Sequence, residues 1–421
     1  MRATLVNHRY LPFRGGSELY IQKLAEWLAA NGWDARVLTT DAFDLEYFWD
    51  RGRQRVAAPA VEYTDGVRVE RLPVRHVPGK PLLFQGGRRV MGEASRLLPV
   101  AAPFRLVSRC LPWIPGLDAA LDEQPRPDLI FAANLGLESL AIAALAAARR
   151  HGVPFVFLPF AHIGDSRDQT ARRYVSMPHQ RALVRSADLL VALTHLEATF
   201  LEALGAERRR IVVAGAGVDL PESVPDVGSA TPGSRRRPVT ILSVGAMAQD
   251  KGATHLVDAS RQLACSGLDH RLVLVGPELS AFERWFRESR ASECDWIEKR
   301  GVVPEAEKLA LFSEADVFAL ASRTESFGIV FLEAWAHGLP VVGAGVGALN
   351  EVISDGIDGL LTPFGDVDAL AAALTRLAND RAFAASLGSA GYEKICRCFT
   401  WERVLGRIEG AIHNVLGIEV T

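Results

Sequence analysis

Short apolar runs alternate with amphipathic or alanine-rich stretches along the chain. Ala3–Val6, Ala35–Leu38, Val67–Leu72, Leu129–Ala132, Phe155–Leu158, Leu189–Ala192 and Ile211–Val213 read as strands, with helices over Glu18–Ala30, Leu137–Arg150 and Thr194–Leu204. This alternation is the pattern of doubly wound α/β units. It breaks off between Pro221 and Pro238, where Pro, Gly, Ser and charge dominate without periodicity, as in a linker. A second set then begins. Strands are expected at Val239–Val244, Arg271–Val275, Val317–Ala321 and Val341–Val342, with Leu349–Ile353 following the last, and helices at Ala253–Gln262, Ala306–Glu314 and Val367–Leu377. The tail Trp401–Val415 is amphipathic and reads as helical. The expected organisation is an N-terminal domain over 1–220, a linker over 221–238, a C-terminal domain over 239–398 and a terminal helix within 399–421. Two such sheets in tandem imply a cleft between them, a favoured place for ligands.

Composition narrows the class. At 421 residues and 49% hydrophobic content the chain is long enough for two globular domains. A net charge of −3 gives no reason to expect nucleic acid. No apolar run approaches the roughly 20 residues that cross a bilayer, and Ala3–Val6 is too short for a signal core. Five scattered cysteines, with only one residue between Cys396 and Cys398, fit reduced thiols better than a zinc knuckle or redox pair. The expected location is cytoplasmic, either free or at the inner face of the membrane. One stretch departs from the general balance. Arg75–Arg109 carries seven Lys/Arg against one acid, Glu93, interleaved with Leu82-Leu83-Phe84, Leu97-Leu98 and Phe104. Such a stretch suits peripheral contact with an anionic membrane, or a solvated helical hairpin beside the cleft.

The most informative segment is Glu325-Ser326-Phe327-Gly328-Ile329-Val330-Phe331-Leu332-Glu333, two carboxylates eight positions apart around a glycine. Glu325 falls on the loop after an apolar strand and Glu333 inside the next helix. Ligands of open parallel sheets bind outside strand C-termini. The amides of Phe327, Gly328 and Ile329 lie near a helix start, where unpaired N–H groups favour a phosphate. Lys251, beside Gly252 in the first loop of the second half, can reach a diphosphate as a point charge; its bland reading is a surface lysine at a turn. Gly345–Glu351 is a further glycine-bearing loop whose amides either complete an anion site or make a tight connection. In the first half, Gly15-Gly16-Ser17-Glu18 opens a long helix, either for close approach to a ligand or with Ser17 as a simple cap. It is not the dinucleotide fingerprint, so Asp41 is not read as a ribose-binding acid of a dehydrogenase. His162, with Gly164-Asp165 just beyond it, comes at the end of an apolar strand and is placed to bond a substrate hydroxyl; a buried structural histidine is the alternative.

Taken together these motifs resemble the GT-B glycosyltransferases of family 4. Glu325 and Glu333 match the family's paired glutamates, and Leu332-Glu333-Ala334-Trp335-Ala336-His337-Gly338-Leu339-Pro340-Val341-Val342 matches the family's helix-to-strand segment around the second of them. Gly15-Gly16-Ser17-Glu18, His162 and Lys251 match the acceptor-domain glycine loop, the active-site histidine and the diphosphate lysine. The resemblance implies two Rossmann-like doubly wound α/β domains facing across a cleft, with a C-terminal helix near Phe399–Glu402 crossing back to the first. It implies a retaining hexosyltransferase that is metal-independent and needs no cofactor beyond a nucleoside diphosphate sugar, with UDP- or GDP-sugars foremost. Catalysis falls to His162, Glu325 and Lys251. Donor contacts fall to Gly16, Lys251, Glu325, the Phe327, Gly328 and Ile329 amides, and Glu333 at the ribose. The acceptor is a glycan, lipid-linked or small-molecule hydroxyl. Two positions depart from the pattern: Ala246 stands where the family has arginine, with Arg323 as a candidate substitute, and Gly215-Ala216-Gly217-Val218-Asp219 replaces a common hinge motif. A nucleotide-sugar epimerase and a catalytically weakened nucleotide-sugar binding subunit are the competing readings.

Overall fold

The computed structural model describes residues 1–13, 15–76, 82–163, 172–221 and 237–418. Lys80, Gly164-Asp165 and most of the expected linker lie outside the described residues. The chain divides into two compact units, the first holding Met1–Gly215 in the main together with the chain from Val404 onward, and the second spanning Ala216–Arg403.

Unit 1 is built on eight strands: β1 (Arg2–Val6), β2 (Asp34–Thr40), β3 (Val61–Thr64), β4 (Val67–Leu72), β5 (Leu129–Ala133), β6 (Phe155–Leu158), β7 (Leu189–Ala192) and β8 (Ile211–Val213). Their order is β3-β4-β2-β1-β5-β6-β7-β8. All neighbours are parallel except β3 and β4, a hairpin. Asp65 and Gly66 both take positive φ at its tip, the backbone a two-residue type I′ turn requires. β5, β6 and β7 are buried along their whole length, as expected of strands covered on both faces. The strand order reverses between β1 and β5, and there Asn134, held at φ 73°, donates to the Asn7 side chain at 2.8 Å.

Unit 2 holds six parallel strands: β9 (Val239–Val244), β10 (His270–Val275), β11 (Ile297–Gly301), β12 (Val317–Leu320), β13 (Val341–Ala344) and β14 (Leu360–Thr362), ordered β11-β10-β9-β12-β13-β14. Its reversal lies between β9 and β12, where Val317 pairs with Ile241 and Phe318 with Leu242. Leu349–Val352 is a short helix. The helix Arg381–Cys398 lies against the helix Ile329–Ala336, and two glycines make this possible. A Cβ on Gly388 would overlap the Gly338 carbonyl, and one on Gly391 the indole of Trp335. The buried indole donates to the Asp358 carbonyl at 2.8 Å, and Lys394 bonds the Asp358 carboxylate at 2.7 Å.

The closing helix Trp401–Leu416 continues into unit 1 from Val404. There the Trp27 indole donates to Glu409 at 3.2 Å, and Arg407 donates to the Ala214 carbonyl at 2.6 Å.

These glycines give a paired prediction. Gly391→Ala should destabilise by about 1–3 kcal/mol, because the indole it strikes is locked in place. Gly406→Ala and Gly410→Ala, in helical positions where a Cβ meets nothing within 4 Å, should each stabilise by about 0.4–1 kcal/mol. Denaturant midpoints of the three variants against the parent chain check both signs.

Candidate functional site

In unit 2 the site begins with a backbone constraint at the strand-order reversal. Gly252 takes φ +75°, and a Cβ there would overlap the main chain of Ala321, just beyond β12. The Arg323 amide also donates to the Asp250 carbonyl at 2.7 Å. The loop after β9 is thus fixed to the loop after β12. Lys251 therefore lies beside Glu325, its ammonium donating to the carboxylate at 2.8 Å and to the Thr324 carbonyl at 3.4 Å. The ammonium has three donors, so these two bonds leave one for another acceptor.

Gly328 caps the helix Ile329–Ala336 at φ +87°, with a Cβ there excluded by Phe331 and Leu349. The Phe327 ring is buried edge-on to Phe399 at 5.5 Å between centroids. Phe327 therefore has only its main chain to offer a ligand. The first amides of the helix point outward from this end, where the macrodipole favours an anion.

Glu333, inside the helix, is held by Lys308 at 2.8 Å, and Lys308 also pairs with Glu305 at 3.0 Å. Burial pushes the Glu333 carboxyl above its ordinary range, with the Lys308 ammonium opposing that shift. Each of the two spaced glutamates thus has its own lysine. Lys308 is absent from the sequence-based site, since a lysine on a polar helix face carries no signal of a partner 25 residues on. Ala246 lies in the loop after β9, and Arg323 is exposed on the loop that abuts it.

In unit 1, Gly16 is the first, exposed residue of the helix Gly16–Ala30. The cap of that helix is Gly15 rather than Ser17. The Ser17 hydroxyl donates to Glu18 at 3.0 Å, because the Glu18 carboxylate folds back towards Gly15 and Arg9. His162 is four residues beyond β6 and exposed, which sets aside the buried structural reading. Its approach is rigidly built. Phe160, at φ 46°, packs edge-on against Tyr20 of the Gly16–Ala30 helix at 5.3 Å. The buried Glu197 carboxylate accepts from the Ala161 amide and the Leu193 amide, both at 2.7 Å. Burial raises the Glu197 pKa to about 7 against the pull of those two amides. A local signal for Glu197 does exist in the sequence: Thr194-His195-Leu196-Glu197 has the spacing of a capping box, and Thr194 caps the helix His195–Ala203.

Comparison with known proteins agrees with this architecture. Residues 15–217 match the family described as glycosyl transferase 4-like domain, and residues 238–380 match glycosyl transferases group 1. The D-inositol 3-phosphate glycosyltransferase of Xylanimonas cellulosilytica is 30% identical over 92% of this chain and 89% of its own length. A second D-inositol 3-phosphate glycosyltransferase, from Nocardioides, is 29% identical over 92% of this chain and 82% of its own length, and other curated glycosyltransferases match over less, such as 54% and 71% of the relative's length. Among solved structures, sucrose-phosphate synthase from Thermosynechococcus elongatus superposes with a TM-score of 0.72 at 22% identity, covering 99% of both chains. An Anabaena protein solved in complex with UDP-glucose has a TM-score of 0.66 at 18% identity, over 98% of this chain and 100% of that one. No helix among the described residues is long and apolar enough to cross a membrane. Two family matches along one chain and a relative aligned over nearly its full length leave one assignment: the protein is a GT-B glycosyltransferase of the family 4 type.

Proposed function

We propose that the protein moves a hexose from a UDP- or GDP-sugar to an acceptor hydroxyl, retaining the anomeric configuration by a metal-independent front-face displacement. The observation that carries this reading is the pairing of Lys251 with Glu325 at 2.8 Å beside the start of the Ile329–Ala336 helix. In the proposed complex the diphosphate takes the third donor of Lys251 and the amides of Gly328 and Ile329. Glu325, paired with its lysine, accepts from the sugar hydroxyls, Glu333 accepts from the ribose, and Gly16 lies close to the diphosphate. The hard step is departure of the nucleoside diphosphate as charge grows on its oxygens. Preorganised donors stabilise that charge without reorganising. The leaving phosphate then accepts the acceptor's proton as the new glycosidic bond forms on the same face. His162 holds an acceptor or donor hydroxyl, positioned through the Ala161 amide by Glu197. A glycan, lipid-linked or small-molecule alcohol fits the acceptor role. The names of the relatives supply the reaction class, and the UDP-glucose complex of the Anabaena protein supports the donor class.

Lys251→Ala should lower kcat/KM by about 10²–10³ at unchanged unfolding midpoint, as loss of one preorganised donor does. Thermal shift with UDP-, GDP-, ADP- and TDP-sugars, then mass analysis of products, identifies the donor; near-parental turnover in Lys251→Ala or Glu325→Gln removes those assignments. Arg323 is proposed to replace the cation absent at Ala246. Arg323→Ala should reduce kcat/KM at least tenfold, and adding Ala246→Arg should restore part of the loss; no rescue and no loss would place Arg323 outside the diphosphate grip.

Glu197→Gln exchanges a two-oxygen acceptor for one oxygen and an NH2 group. One of the two backbone amides is then unpaired, at a cost of about 1–3 kcal/mol, and kcat should fall more than donor KM rises. The pH dependence has a definite sign. An acid whose folded pKa is raised gives its full stability at low pH and loses it as pH rises through the folded value. The parent should therefore lose stability relative to Glu197→Gln between about pH 4.5 and 7, measured as the difference in denaturant midpoint across that range.

A further inference from the structure

The basic stretch of unit 1 is not uniformly solvated. Arg88, on the helix Leu82–Ala94, reaches the fully buried Glu138 at 3.3 Å, where Ser108 and His179 also bond the carboxylate. That end is anchored in the interior. The opposite end is not. From Leu97 to Val107 the connector and the helix Ala101–Ser108 expose Leu97 at 84%, Leu98 at 51%, Val100 at 53% and Leu106 at 72%. Monomer surfaces scatter single apolar side chains but seldom group them in this way.

Next to this apolar group is a cavity of about 770 Å³, lined by Arg96, Arg172, Arg173, Arg181 and Arg185 with Ser95 and Pro99. Among the described residues, one carboxylate, Glu93, pairs with this set, taking Arg173 and Arg96. Arg181 and Arg185 spend their Nε–H groups on the Ser176 and Leu204 carbonyls. The Nε atoms of Arg172 and Arg173 are buried without any partner. Five guanidinium groups around one hollow, under-neutralised and partly unsatisfied, call for a polyanion. Ser95, Arg96 and Pro99 line the hollow while Leu97, Leu98 and Val100 in the same turns are exposed, so charge and apolar surface adjoin along one short segment.

We propose that this face docks on an anionic lipid bilayer. A phosphate headgroup enters the arginine hollow, and Leu97, Leu98, Val100 and Leu106 enter the boundary between headgroups and acyl chains. A soluble phosphate satisfies the arginines but leaves the leucines in water; a lipid surface satisfies both, and that decides the occupant. The inference stands apart from the donor chemistry of unit 2, and nothing in it depends on which sugar is moved.

Flotation of the full chain with phosphatidylcholine vesicles, and with phosphatidylcholine–phosphatidylglycerol vesicles at roughly 7:3, tests it. Binding is expected only to the anionic vesicles. It should weaken steeply as salt rises from about 0.1 M to 1 M, which shortens the Debye length from roughly 10 to 3 Å. Arg172→Gln/Arg181→Gln should weaken partitioning about tenfold or more, and Leu97→Ser/Leu98→Ser by a similar factor. The leucines are exposed, so the second variant folds irrespective of the first, and both are checked by unfolding midpoint. Equal binding to neutral vesicles, or binding that ignores both variants, overturns the proposal. So does failure to bind vesicles while inorganic pyrophosphate raises the unfolding midpoint of the parent but not of Arg172→Gln/Arg181→Gln, which would make the hollow a soluble-anion site.

Discussion

The contact between Gly252 and the main chain of Ala321 sets the geometry on which the donor end of unit 2 depends. Any side chain at 252 would occupy the Ala321 carbonyl, and the φ of +75° independently favours glycine. Because the contact is backbone to backbone, it fixes the loops after β9 and β12 with no rotamer freedom between them. The 2.8 Å reach of Lys251 to Glu325 results from that fixation rather than from the mutual attraction of two long side chains. A parallel constraint operates one strand over, where Gly276 at φ +133° abuts the Gly245 carbonyl. The sheet thus presents its strand C-termini as a rigid row, and rigidity at such a row is what preorganised charge stabilisation requires.

Buried charge is used in the two units in different ways. In unit 1, burial works to raise the Glu138 carboxyl, and Arg88 and His179 outweigh it, keeping the group ionised. Beside it, burial lowers His8 to about 3, so that its imidazole is neutral. The result is a fixed anion that fastens the basic helical stretch to the core, with the remaining arginines left outside. In unit 2 the Lys251–Glu325 and Lys308–Glu333 pairs are only part-buried, and each of these carboxylates keeps an oxygen beyond the one its lysine holds. A fully buried pair has its partners chosen for good. A partly exposed pair can share them.

Much of this is legible in the sequence because parallel strands covered on both faces read as plain apolar runs. Phe155–Leu158 and Leu189–Ala192 fall where the sequence places them. The elements that the pattern does not reveal carry mixed residues. β11, Ile-Glu-Lys-Arg-Gly, is a polar edge strand with no core face to advertise it, and β3 is half-exposed, although Asp65-Gly66 marks its turn. The placement of Glu325 on a loop and Glu333 in a helix is readable from local pattern. Their lysines are less so. Lys251 is signalled by its neighbour Gly252 and Glu197 by the capping-box spacing from Thr194, whereas the bond of Glu197 to the Ala161 amide and that of Lys308 to Glu333 join residues far apart along the chain, and local composition says nothing of such partners.

The substitution at Ala246 changes the charge arithmetic of the proposed donor site. Lys251 and Lys308 are each opposed by a glutamate, and Glu305 adds one further negative charge to the group. Those five side chains sum to −1 and Arg323 brings the proposed set to zero, which gives a diphosphate no net attraction at long range. Attraction must come from short-range, directed donors: the helix-start amides behind Gly328, the remaining N–H of Lys251, and Arg323. Such donors act within about one turn of the helix end, so they select a pyrophosphate that fits the row closely and do little to gather anions from solution. In a site arranged this way, affinity is expected to depend more on geometry than on ionic strength. That is the reverse of the arginine hollow of unit 1, where surplus cationic charge makes the first contact and shape matters less.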